Sequence, residues 1–118
     1  MLGEQVLAAI AENQRFKTPD LKVADIAAAI GAPDYKVSQC IASALGFRNF
    51  NHLINTYRIE YAKEALTDAN NDDKPILSIA FECGFNSIGP FNRAFRQEVG
   101  MTPRDFRASK MMNAATHL

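Results

Sequence analysis

The 118-residue chain is 47% apolar, with thirteen basic residues balanced by thirteen acidic ones. That length suits one compact unit or two very small ones, since a useful core needs roughly 50 residues or more. No run approaches the roughly 20 apolar residues of a membrane span, and the N-terminus lacks the basic, apolar and small-residue blocks of a secretion signal.

Cys40 and Cys83 stand far apart inside helical patterns, which argues against a disulfide framework or a zinc site and for reduced thiols in a cytoplasmic setting. The charge is unevenly placed. Five basic residues (Arg93, Arg96, Arg104, Arg107, Lys110) against Glu98 and Asp105 leave residues 85–118 at +3. Residues 1–47, with four basic and five acidic side chains, stand at −1. A polyanionic partner would therefore be held mainly by the C-terminal half.

In chain order, Glu4 to Gln14 places Val6, Leu7, Ile10 and Ala11 on one side of a first amphipathic helix. Thr18-Pro19-Asp20 follows as a turn. Val23 to Ile30 has Val23, Ile26, Ala27 and Ile30 on one face and is stopped by Gly31 and Pro33. The pattern resumes at Asp34, with Val37, Ile41 and Leu45 inward and Gly46 closing it. Helix, short break, helix is a helix-turn-helix pattern. Tyr35, Ser38, Gln39 and Ala42 fall on its outward side.

Asn49 to Leu66 is the longest periodic stretch, with Asn49 as N-cap, and suits a linking helix. A polar loop over 67–74 ends at Pro75. Ile76, Ile79, Ala80 and Cys83 then form the inner face of another helix, Gly84 permits a sharp exit, and Ser87 is an N-cap. In the helix that follows, Ile88, Phe91, Phe95 and Val99 line the inner side, while Gly89, Asn92, Arg93 and Arg96 share the other. Thr102-Pro103-Arg104-Asp105 starts a short last helix.

The two halves repeat. Ile26-Ala27 and Gly31 recur 53 residues later as Ile79-Ala80 and Gly84, and Val37, Ile41 and Gly46 recur 54 residues later as Phe91, Phe95 and Gly100. Two matching runs in register point to two copies of one unit.

These residues resemble the C-terminal DNA-binding domain of AraC/XylS-type bacterial transcription regulators. The resemblance runs from about Leu21 to Arg107 and is most specific in the Gly84-Phe85-Asn86-Ser87, Phe91-Asn92-Arg93-Ala94-Phe95-Arg96 and Gly100-Met101-Thr102-Pro103-Arg104-Asp105-Phe106-Arg107 segments; Arg58, Ile59 and Ala62 match the family's linking helix. It implies an all-α module of about seven helices, two helix-turn-helix subdomains joined by a long linker helix. The expected bounds are 1–48 and 68–110 for the subdomains, 49–67 for the linker and 111–118 for a flexible tail. Two recognition helices would enter successive major grooves, about 34 Å apart. Carried over by position, base readout falls to Tyr35, Ser38, Gln39, Ile88, Gly89, Asn92 and Arg93, and phosphate contact to Lys36, Ser87, Arg96 and Arg104. Ile88-Gly89 offers no hydrogen-bonding side chain, so readout there would rest on backbone, a thymine methyl or shape. The uncharged run from Gln39 to Ala44 makes the first unit the weaker half.

Other readings are bland. Phe85, Phe91, Phe95 and Phe106 have core spacing, His52 and His117 lack metal-ligand spacing, and Glu60 with Glu64 suits a solvated helix face. With no phosphate loop, nucleophile elbow or metal cluster, no enzyme, metal or cofactor is expected. The expected partners are double-stranded DNA, RNA polymerase, and a sensor or oligomerisation region of a longer parent chain that could itself be membrane-anchored. The rival expectation is a helical protein-interaction module of the same fold without DNA affinity of its own.

Overall fold

The computed structural model describes residues 1–116, with side chains described through Met111. Every regular element among them is helical: α1 (Leu2–Ala11), α2 (Val23–Ile30), α3 (Asp34–Ser43), α4 (Phe50–Thr67), α5 (Ile76–Cys83), α6 (Ile88–Val99) and α7 (Pro103–Thr116), with 3-10 segments at Glu12–Lys17 and Ala69–Asn71. The expected all-α class is the observed one. The chain divides into two compact units, Met1–Tyr57 and the remainder from Arg58. The helix α4 therefore gives its first half to unit 1 and its second half to unit 2.

Unit 1 closes over Val6, Ile10, Ile26, Val37, Ile41 and Leu53, all fully buried. Its first helix is shorter than the pattern suggests. Asn13 and Gln14 take positive φ, 52° and 54°, and this reversal lets Phe16 bury against Tyr57, ring centroids 5.8 Å apart. Arg15 Nη1 then donates to the carbonyl of Ala9 at 2.8 Å, satisfying one of the carbonyls left open at the helix end. At the start of α2, Lys22 N–H donates to Asp25 Oδ2 at 2.8 Å, half of a capping box. α3 ends at Ser43 rather than at Leu45, and Phe47 N–H reaches back to Ile41 O at 3.1 Å. Asn49 caps α4 as expected, its Oδ1 accepting from His52 N–H at 2.8 Å.

The repeat is visible in hydrogen bonds. α2 ends with Gly31 left-handed and Ala32 N–H bonded to Ala27 O at 3.0 Å; α5 ends with Gly84 left-handed and Phe85 N–H bonded to Ala80 O at 3.1 Å. Both are Schellman closures, and the left-handed residue they require is glycine because a Cβ is penalised there.

Unit 2 has its own core of Ile59, Ala62, Leu66, Ile79, Ala80, Cys83, Phe85, Phe91, Phe95 and Phe106. Its rings form a chain: Phe85 to Phe91 at 5.4 Å, Phe91 to Phe95 at 5.8 Å and Phe95 to Phe106 at 5.4 Å between centroids. Edge-on and tilted pairs of this kind add to simple burial. The four phenylalanines are thus core residues. Arg58 is buried with them, its guanidinium 5.3 Å from the centre of the Phe85 ring, a cation–π contact. Arg107 is structural as well: its Nη2 donates to Lys74 O at 2.8 Å and ties the loop before α5 to α7. Beside it, Glu82 accepts from Lys74 Nζ at 2.8 Å and holds that ammonium above its ordinary pKa. The pair's contribution is whole below lysine's ordinary value and fades as pH rises through the raised one.

The last helix departs from expectation in length. Instead of a short segment, α7 runs for 14 residues to Thr116, overlapping the stretch expected as a tail, whose final two residues lie outside the described ones. Its start is as expected, with Pro103 in the first turn and Asp105 N–H donating to Thr102 Oγ1 at 3.1 Å. Ser87 occupies the N-cap position of α6 but makes no capping bond through its side chain. Thr102→Ala is therefore expected to destabilise unit 2 by about 1 kcal/mol in urea unfolding, while Ser87→Ala stays within about 0.5 kcal/mol of the parent. Equal losses for the two would contradict this difference in capping.

Candidate nucleic-acid interface

The alternation that buries one side of α6 exposes the other. Phe91, Ala94 and Phe95 are sealed in the unit 2 core, so Ile88, Asn92, Arg93 and Arg96, one turn apart, are forced outward. Ile88 is also outward, a correction to its expected place on the inner side: as the first residue of the helix it lies beyond the ring chain and is 37% exposed. Pro90 falls at the third helical position, where its missing N–H costs no helical bond.

A groove of about 650 Å³ runs along this face, with Ile88, Asn92, Arg93, Arg96 and Arg104 among its lining residues. Five of the six side chains expected from α6 and α7 thus gather at one place, and Ser87 stands exposed at the head of α6. The groove adds Leu77 from α5, together with Ile76, Thr102 and Pro103. No acidic residue among the described ones lines it. Among the described residues Arg93, Arg96 and Arg104 have no carboxylate partner, so three guanidinium groups face solvent with their donors uncommitted.

Gly89 sits half-buried in the first turn of α6. A Cβ built on it would meet Arg93 Nη1 at 3.4 Å, so the guanidinium lies back over the bare Cα beside the first turn of the helix. A side-chain methyl there would touch only the mobile end of Arg93. The sequence pattern already left Leu77 outside the inner face of α5, and an outward leucine there was the signal available for it.

In unit 1 the corresponding face is plainer. Tyr35, Lys36, Ser38 and Gln39 are all exposed on α3, Tyr35 at 68%. By the repeat, Gln39 stands where unit 2 has Arg93 and Ala42 where it has Arg96. Asp34, in the first turn of α3, matches Ile88. The remaining cation, Lys36, cannot form a bidentate fork.

Among the described residues no helix is long and apolar enough to cross a membrane, and no three metal-ligating side chains cluster. Cys40 and Cys83 are not joined in a disulfide, and the second is buried in the unit 2 core.

Residues 26–109 match the family model described as a helix-turn-helix domain. The chain belongs to the AraC-type helix-turn-helix family. This family comprises DNA-binding transcription regulators and is not an enzyme class. One relative, an uncharacterised regulator of this type from Staphylococcus aureus, is 34% identical over 91 residues, covering 77% of this chain but 12% of its own length. The chain therefore spans only a small part of that relative. The C-terminal domain of AraT, a response regulator from Geobacillus stearothermophilus, is 28% identical with a TM-score of 0.74, covering 89% of this chain and 84% of that one. An AraC-type transcriptional regulator from Chromobacterium violaceum shares the fold at 23% identity and a TM-score of 0.74, covering 91% and 92% of the two chains.

Since only the mobile end of Arg93 opposes a Cβ at Gly89, Gly89→Ala is expected to raise the stability of this AraC-type unit by about 0.5 kcal/mol. It should also shift the Arg93 Nε–H resonance in NMR spectra. A variant with neither effect would show that the guanidinium does not rest on Gly89.

Proposed function

We propose that this chain binds double-stranded DNA in a sequence-specific way for transcriptional control, with α3 and α6 as recognition helices in successive major grooves. The observation that carries the proposal is the groove of unit 2, where Arg93, Arg96 and Arg104 stand together with no carboxylate among its lining residues. In this reading Asn92 and Arg93 contact base edges. A guanidinium paired with guanine O6 and N7 discriminates by roughly 1–3 kcal/mol, and an amide can do the same for adenine. Arg96, Arg104 and Ser87 hold phosphates and set the register. Ile88 and Gly89 contribute carbon surface and backbone to the readout. On α3, Tyr35, Ser38 and Gln39 read bases and Lys36 holds a phosphate, a weaker set because it has one cation. The greater length of the relatives supports reading the chain as the DNA-binding portion of a longer regulator with a sensor or oligomerisation region, working in the cytoplasm.

A second reading is supported by the exposure of Leu77 and Phe81 on α5, at 45% and 50%, and by a net charge of zero. In it the same fold docks onto RNA polymerase or a partner subunit without DNA affinity of its own.

Selection of duplexes from a random pool separates the two. The first reading expects an enriched motif, an affinity that falls with salt at a log–log slope near −4 to −5 for about five phosphate contacts, and relaxed preference at one base position in Arg93→Ala. A pool with no motif, and weak binding indifferent to Arg93→Ala, would leave only the second.

A further inference from the structure

We infer that Leu77 of α5 and Ile88 of α6 form a seat for a thymine 5-methyl group, so that the second recognition helix requires a thymine next to the base pair read by Asn92 and Arg93. This rests on the DNA-binding reading and adds to it a residue outside the recognition helix and a base requirement.

Leu77 and Ile88 are 45% and 37% exposed and line the same groove as Asn92 and Arg93. The fold does not need this carbon surface. In the repeat, Leu77 corresponds to Ala24 and Ile88 to Asp34, yet α2 closes through the same glycine motif as α5 and α3 packs its own Val37 and Ile41 fully. The apolar pair is thus peculiar to the unit that also carries the three unpaired guanidinium groups.

What covers it follows from the surrounding charge. Arg93, Arg96 and Arg104 line the groove without an acid, and the complement is a polyanion that also offers carbon. In the major groove of DNA the largest such carbon group is the thymine methyl, which projects further than the C5–H edge of cytosine, while the polar atoms of the base edges present donors and acceptors. Ile88 and Gly89 carry no side-chain donor or acceptor that could read those edges. Asn92 and Arg93 lie four and five residues further along the helix, on the same exposed side as Ile88, which places the methyl beside the base pair they read.

The test uses the full chain and the motif it selects from random duplexes. Each thymine is replaced in turn by uracil, which removes only the methyl group. One position in the half-site read by α6 is expected to lose about fourfold in affinity, the effect of leaving one buried methyl out. In Leu77→Asn, folded by circular dichroism, that thymine-to-uracil penalty should shrink toward none. Tolerance of uracil at every position overturns the inference while leaving the DNA reading intact. So does a penalty that persists undiminished in Leu77→Asn, or a loss that is equal for thymine and uracil sites. If no motif is selected at all, the DNA reading itself fails and the inference falls with it.

Discussion

The exposed face of α6 exists because its opposite face cannot turn. Phe91 and Phe95 are held in a chain of rings that runs from Phe85 to Phe106, and rotating the helix by one residue would pull two fully buried aromatics into water. Each such ring is worth about 1.5–3 kcal/mol of burial. That exceeds what an exposed arginine on the other side gains from a solvent-screened ion pair. The guanidinium groups of Arg93 and Arg96 are thus positioned by residues that never meet a ligand.

The same core has recruited charges that the sequence leaves ambiguous. In the sequence Arg58 leans toward a structural part, and Arg107 is no different from Arg104, either a phosphate contact or a solvated cation. The structure separates them. Arg58 lies over the Phe85 ring and Arg107 bonds the Lys74 carbonyl, which leaves the groove arginines as the ones with uncommitted donors.

Much of this was legible in the sequence because the two units obey local rules. The bounds of α2 follow from Val23, Ile26, Ala27 and Ile30 at helical spacing with Gly31 behind them, and those of α5 and α6 from the same logic. The departures arise where a tertiary demand overrides the local one. α1 stops early because burying Phe16 needs a reversal at Asn13 and Gln14, and no helical periodicity announces that. Ser87 has the chemistry of a cap but no capping bond, and only atomic positions decide such a bond. Leu77 was visible as an outward leucine. That it shares a groove with Ile88 depends on how α5 and α6 meet, which spacing along the chain does not encode.

The boundary between the units falls between Tyr57 and Arg58, in the middle of α4. Unit 1 takes Leu53 and Ile54 from the first half of that helix, and unit 2 takes Ile59, Ala62 and Leu66 from the second. Neither unit keeps its interior without its half of α4. A fragment ending before Phe50 lacks one wall of the first core, and a fragment starting after Thr67 lacks one wall of the second. A cut in the loop before α4 or in the loop after it can therefore leave one unit whole only by taking a wall from the other.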